Sequence, residues 1–296
     1  MKLIRIIHGY TAGTGTDVMA RMVAQKLSES LGQPVVVENR VGASGSMANE
    51  RVATSPADGY TLLMCQASCT ILPALRTKLP YDLTRDFTGV SLVATSTYVL
   101  VVHPSVPARD VKELITIARA TPGKLSYGSA GVGTSSHLAG ELFNLMAKVS
   151  ILHVPYKGTP EFAVANASGQ VDLGFSSITP ALPLLSAGKL RALAVTSGKR
   201  TSLMPSTPSL NELGLAGYNR VAWFGVLAPA AVPKDIVGRL NAVIVKAFNT
   251  AEAKEQLYRQ GLEPQTTTPE QCSTFVREEV AQNGKLIRLI GIKPEN

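Results

Sequence analysis

Two stretches of the chain repeat one design: a short apolar run, a loop of Gly, Ser, Thr and Ala, and then a helical pattern. The first is residues 4–21, IRIIHGYTAGTGTDVMAR, and the second is residues 124–140, KLSYGSAGVGTSSHLAG. A strand handed to a helix through a glycine-rich loop is the first half of a βαβ unit, so the pair points to an α/β chain. Each loop also frees backbone N–H groups at a helix start, where the macrodipole favours negative charge. Two anion seats in one chain suggest a clamp.

The rest of the chain keeps the same alternation. Ile4–His8 reads as a strand, followed by a helix carrying Val18, Met19, Met22, Val23, Leu27 and Leu31 at helical spacing, with Gly32 placed to end it. Residues 34–38 and 60–64 read as further strands. Thr159-Pro160, Thr179-Pro180, Thr207-Pro208 and Thr268-Pro269 each join an N-cap oxygen to a proline preset for the first helical turn. Thr268 with Gln271 also forms a capping box. Gly169, Gly188, Gly214 and Gly261 fall where the following helices should stop. Apolar runs at 98–103 and 221–229 bracket a complete set of βα units holding the second glycine-rich loop. Crossings near 100 and 222 predict a middle lobe, 100–221, inserted into a lobe built from 1–99 and 222–296. Hinged two-lobe receptors are organised in this way.

Composition removes several function classes. At 296 residues, a prior of roughly 150 residues per domain gives two. The net charge of +8 draws anions. With only 5% aromatic residues and no dense Lys/Arg cluster, a stacking groove for nucleic acid is not expected. No apolar run approaches the roughly 18 residues of a membrane span. Cys65, Cys69 and Cys272 make neither a disulfide framework nor, without a second Cys/His pair, a zinc site, so they read as packing residues. His8, His103, His137 and His153 are scattered and form no HExxH pattern.

The loops fail the familiar nucleotide and hydrolase patterns. Gly13-Thr14-Gly15 is followed by Val18 where a dinucleotide fingerprint needs its third glycine, and Gly131-Val132-Gly133 is followed by Ser136. There is no GxxxxGK[ST] run and no GxSxG elbow. Ser129, Ser135, Ser136 and His137 lie close in sequence, which leaves a Ser-dependent hydrolase using Ser129 or Ser135 as an alternative; neighbours at a helix start point in different directions, so adjacency argues weakly for it. Binding without catalytic residues, cofactor or metal is the favoured reading. A carboxylate would take hydrogen bonds from the N–H groups of residues 12–16 and 130–134, helped by the hydroxyls of Thr14, Thr16, Ser129 and Thr134. Neither loop carries Lys or Arg.

The run GYTAGTGTDVMAR resembles the PFPAGGGTD signature of the Bug-type solute receptors, the periplasmic substrate-binding proteins of tripartite tricarboxylate transporters. YGSAGVGTSSHLAGELF, HVPYKG, GQVDLGFSS, ITPALPLLSAGKLRALAVTS and WFGVLAPAAVPKDIVGRLN extend the resemblance from residue 9 to the C-terminus. It implies a type II, Venus-flytrap binding protein with a mixed sheet in each lobe, in which a small organic acid or amino acid is held between the two loops. By motif position the ligand contacts are Tyr10, Ala12, Gly13, Thr14 and Thr16 in the first loop. The second loop supplies Ser129, Ala130, Gly131, Val132, Gly133, Thr134 and Ser135. Asp172 of GQVDLGFSS aligns with a position able to face the ligand, and Asp17 reads as a first-turn residue favoured by the helix dipole. The implied partners are the permease subunits of a tripartite transporter, with no nucleic acid. The receptor itself is expected to be a periplasmic monomer whose leader has been removed. A ligand sensor for a signalling partner shares all of these features. The chain departs from the family at Gly9 and Thr11, where prolines are usual, at Thr14 in the glycine run, and at Val132, a position often polar.

Overall fold

The computed structural model describes residues 2–294, and it is α/β throughout. Its chain divides into two compact units, residues 1–95, 223–257 and 264–296 in the first and 96–222 with 258–263 in the second.

The first unit begins with β1 (Ile4–His8), α1 (Gly15–Leu31), β2 (Val35–Asn39), a short turn of helix at Ala43–Gly45, α2 (Ser46–Ala53), β3 (Thr61–Gln66) and α3 (Ala67–Leu75). β1 lies between β2 and β3 and is parallel to both. The long β4 (Phe87–Val102) follows and runs on into the second unit. There α4 (Val111–Ala120) leads to β5 (Ser126–Ser129), α5 (Ser135–Ala147), β6 (Leu152–Pro155), α6 (Thr159–Ala167), β7 (Leu173–Ser177), α7 (Ile178–Ser186) and β8 (Arg191–Val195). β5 lies between β6 and β7 and is parallel to both, while β7 and β8 pair antiparallel with β4. The chain returns along β9 (Val221–Pro229), antiparallel to β3, and closes with α8 (Lys234–Phe248), α9 (Ala251–Arg259), the two-residue β10 (Glu263–Pro264) and α10 (Pro269–Leu289).

Each unit has its own core, which is what lets each position a loop independently. Ile7, Val52, Leu63, Leu92, Trp223, Leu227 and Val276 bury one, together with Cys65, Cys69 and Cys272, all free thiols. Leu100, Leu114, Tyr127, Phe143, Phe175 and Tyr218 bury the other. At about 25 cal/mol per Å² of apolar surface removed from water, such clusters supply the main drive to fold.

The helix-start signals succeed unevenly. Thr268 caps α10 with the capping box read from sequence, its hydroxyl accepting from the Gln271 N–H while the Gln271 side chain reaches back. α6 and α7 start one or two residues earlier than their Thr-Pro pairs imply, with Gly158 and Ser177 at the N-cap positions and no side-chain cap bond at either. Thr207-Pro208 starts no helix. The Pro208 carbonyl accepts the Val195 N–H at 2.8 Å and Ser209 bridges to Val195, so strand-like pairing to β8 overrides the local cap signal. The strand read at 98–103 is the end of the much longer β4, whose earlier Ser, Thr and Gly residues hide it from an apolar-run reading.

Candidate functional site

Both glycine-rich loops leave the C-terminal end of the middle strand of a parallel trio, β2-β1-β3 in the first unit and β6-β5-β7 in the second. That end, where successive connections diverge to opposite sides, is where open α/β sheets bind their ligands. The same βα turn is therefore presented twice.

In the first loop Gly13 takes φ 82°, open to glycine at no steric cost, and Thr14 turns extended at φ −71°, ψ 160° to cap α1. The Thr14 hydroxyl accepts the Asp17 N–H at 3.4 Å and donates to the Thr11 carbonyl at 2.9 Å. Asp17, almost fully buried, ties the loop together. Its Oδ2 accepts the Gly13 N–H at 3.0 Å and its two oxygens take Arg21 in a fork at 3.0 Å each. Asn39 of β2 and the His8 Nε2 reach Oδ1 at 2.9 and 3.2 Å. The Arg21 guanidinium and then the Gly13 amide hold this carboxyl well below the usual range despite burial. Because the Tyr10 N–H points at His8 Nδ1, 3.3 Å away, the imidazole carries its proton on Nε2, toward Asp17.

The first loop is also braced from outside. A Cβ on Gly9 would stand 2.2 Å from Gly45 Cα, so two backbones meet there. The 42–45 turn reaches that contact with Ala43 and Ser44 both in the left-handed region, at φ 45° and 55°. Such strain costs on the order of 1 kcal/mol or more per residue and persists only where surrounding structure imposes it. Tyr10 lays its ring over Gly45 and hydrogen-bonds Ser68 through its hydroxyl, whose ionisation burial pushes up.

The second loop repeats the skeleton. Gly133 has φ 76°, and Thr134, at φ −77° and ψ 161°, caps α5 by accepting the His137 N–H at 3.4 Å and donating to the Gly131 carbonyl at 2.7 Å. The residue three past the cap again accepts the glycine amide, but here it is an imidazole: the Gly133 N–H donates to His137 Nδ1 at 3.1 Å. His137 stacks on His153 with ring centroids 4.0 Å apart, and His153 stacks in turn on Tyr127. His153 Nε2 holds the Ser129 hydroxyl at 2.7 Å, and Ser129 receives the Gly131 N–H at 3.1 Å. Burial pulls His137 and His153 down to about 4 each, so both are neutral at pH 7.

These bonds occupy several of the groups expected to meet a ligand. The hydroxyls of Thr14, Ser129 and Thr134 are spent inside the loops, as are the amides of Gly13, Ala130, Gly131 and Gly133, Ala130 donating to Ser136 Oγ at 3.1 Å. Thr16 is buried. Among the described residues, no internal acceptor is found for the N–H groups of Gly15 and Thr16 at the start of α1, or of Ser135 and Ser136 at the start of α5. Of these residues Gly15 is exposed and Ser135 half-buried, whereas Thr16 and Ser136 are buried; Ala12 and Val132 stand exposed at the loop tips. Asp172 is elsewhere. It precedes β7 beside Ser126, at the opposite end of β5 from the loop, and its Oδ2 is taken by the Ser126 N–H and hydroxyl at 2.7 and 2.9 Å.

Comparison with known proteins decides the family. The profile described as "Tripartite tricarboxylate transporter family receptor" matches residues 19–292. The chain belongs to this receptor family. BugT of Bordetella pertussis is 35% identical over 292 residues, 98% of this chain and 90% of that protein. A structure of an R. palustris protein with adipate superposes with a TM-score of 0.82 at 35% identity, covering 100% of this chain and 99% of that one. MatC of Rhodopseudomonas palustris, solved with bound malate, gives 0.75 at 30% identity over 97% and 99%. The tripartite transporter receptors are solute receptors and not enzymes, and the chain has their periplasmic binding-protein fold. Among the described residues no helix is long and apolar enough to cross a membrane.

Four residues that hold the loops of this receptor, His8, Arg21, Asn39 and His153, carry no expectation from the sequence, whereas Ser136 and His137 make the local bonds their place at a helix start suggests. A signal was present. In both loops Gly-Thr is followed by an acceptor side chain three residues past the threonine, Asp17 in one and His137 in the other, which is the spacing at which a side chain reaches back over a capped helix start.

Proposed function

We propose that this receptor captures a small carboxylate in the periplasm and delivers it to the membrane permease of a tripartite tricarboxylate-type transporter, the two units acting as the two lobes and each supplying one seat. The observation that carries the reading is the duplicated βα turn, with helix-start amides left unpaired at the C-terminal end of each parallel trio. Adipate on one relative and malate on another are acids of the chemistry these amides suit. The seats take the carboxylate through Gly15, Thr16, Ser135 and Ser136 N–H groups, with Tyr10, Ala12, Gly13, Thr14, Gly131, Val132, Gly133 and Thr134 forming their walls, and Ser129 and Ala130 supporting them from behind. Each charge-assisted bond to an amide contributes about 1.5–3 kcal/mol. Dipoles and amides carry no fixed cation, so the anion is held reversibly, as a receptor that must release its cargo requires.

Thermal-shift screening against succinate, malate, adipate, citrate, benzoate and glutamate tests this. An acid at 100 times its dissociation constant stabilises the folded receptor by roughly 2.7 kcal/mol. A panel in which no acid raises the melting temperature would overturn the reading.

A further inference from the structure

The two seats solve one structural demand with different charges. A glycine amide must be accepted by the residue three past the threonine cap. In the first loop that residue is the carboxylate of Asp17, whose charge is matched by Arg21 one turn on. In the second loop the same place is held by His137, and the residue one turn on is Glu141. An anionic acceptor at position 137 would therefore stand at the second seat with no arginine one turn on to match it.

We propose that His137 is a positioning and specificity-determining residue of the second seat: its neutral Nδ1 holds the Gly133 amide, and with it the loop, while keeping negative charge away from the bound acid. This rests on the carboxylate-receptor reading above. The bond fixes the tautomer, since an amide N–H can donate only to an unprotonated Nδ1, which leaves the proton on Nε2. The surroundings keep the ring uncharged. His153 of β6 stacks on one face, and Tyr127 of β5 gives its hydroxyl to Glu141 Oε1 at 2.6 Å, leaving Glu141 3.9 Å from Nε2 and a turn further from the loop. Burial lowers the His137 pKa in the same direction.

The experiment exchanges the devices. Calorimetry at pH 7 with succinate, malate and adipate is run on the native chain and on His137→Asn, His137→Asp, Glu141→Arg and the double variant His137→Asp/Glu141→Arg. Alongside it, the Gly133 amide proton shift is followed by NMR. Asn places a neutral oxygen where Nδ1 stood, so it keeps both the downfield Gly133 amide and affinity within about threefold. Asp keeps the Gly133 bond, as Asp17 keeps that of Gly13, but weakens binding tenfold or more, because a unit charge a few ångström from the anion is poorly screened. Adding Arg at 141 copies the first loop and restores affinity relative to His137→Asp, whereas Glu141→Arg alone does not raise it comparably. Equal affinity in native and His137→Asp chains, with the Gly133 bond intact, overturns the proposal and leaves the receptor reading standing. A loss of affinity in His137→Asn equal to that in His137→Asp overturns it too, showing that any change there simply disrupts the loop. Failure of the native chain to bind any of the three acids, together with a silent thermal-shift panel, takes down the receptor reading and this proposal together.

Discussion

The first loop rests on a charge and the second on neutral rings. Thr14 and Thr134 cap their helices with nearly the same backbone angles, Gly13 and Gly133 share the same left-handed turn, and each glycine amide is accepted by the third residue past the cap. Beneath that shared frame, Asp17 gathers Arg21, Asn39 and His8 into an ionic network, while His137 and His153 form a stack under Tyr127. Backbone geometry demands an acceptor at that point and is indifferent to its charge. The charge is instead settled by what stands one turn further along the helix, Arg21 or Glu141.

The largest difference between the loops should appear when each acceptor is deleted. Asp17→Ala leaves a buried amide, an amide side chain and an imidazole without their acceptor, and breaking such a network costs about 3–5 kcal/mol. His137→Ala removes one acceptor and part of a ring stack, for about 1–3 kcal/mol. Chemical denaturation measures both, and equal losses would break the contrast. Next come the helix-start amides. Proline at Gly15 or Ser135 deletes the first helix N–H while suiting that helical position and the extended residue before it. Each change should weaken acid binding by roughly 10- to 150-fold in calorimetry, measured against Gly15→Ala and Ser135→Ala, with little effect on stability. Binding unchanged in either proline variant would remove that loop from the site.

Acid should then separate the loops. His137 and His153 have folded pKa values below the unfolded value near 6.5, so the stability they contribute is complete above that pH, falls as pH drops, and levels off below about 4. The combined loss is on the order of a few kcal/mol. His8, also lowered by burial, adds to this window from the first unit. Asp17 is depressed, so its contribution is full above the ordinary carboxyl pKa near 3.8 and is lost only below that. Thermal melts at pH 7, 5 and 4 should decline in the native chain and decline less in His137→Asn; a flat profile from 7 to 4 would contradict the buried neutral pair. The smallest effect is the one on which the loops should agree. Thr14→Ala and Thr134→Ala each remove a cap worth about 1 kcal/mol, and a twofold disparity between their shifts in denaturation midpoint would mean that the shared frame is less shared than the angles suggest.

Much of this was legible in the residues. The strands Ile4–His8 and Val221–Pro229 have the bounds that their apolar runs give, and Gly32 and the Thr268 capping box end and begin helices as their local chemistry requires. These are effects of a few neighbouring residues, which a linear reading sees whole. Thr207-Pro208 shows the limit, since its partner Val195 is brought in by the sheet. Asp172 shows the same limit at the site. Its motif position is suggestive, but the register of β7 against β5 carries it to the far end of the strand, onto Ser126.

By itself, the sequence determined the α/β class and the two glycine loops at capped helix starts, because propensity and capping are local. Only the tertiary structure decided which loop amides find an internal acceptor, that Gly9 must meet Gly45, and that Asp17 is answered by Asn39 and His8 as well as Arg21 while His137 is answered by His153. Those outcomes depend on strands β2 and β6 laying distant residues beside the loop strands. Hydrogen-bond capacity is then shared among groups that the chain order keeps apart.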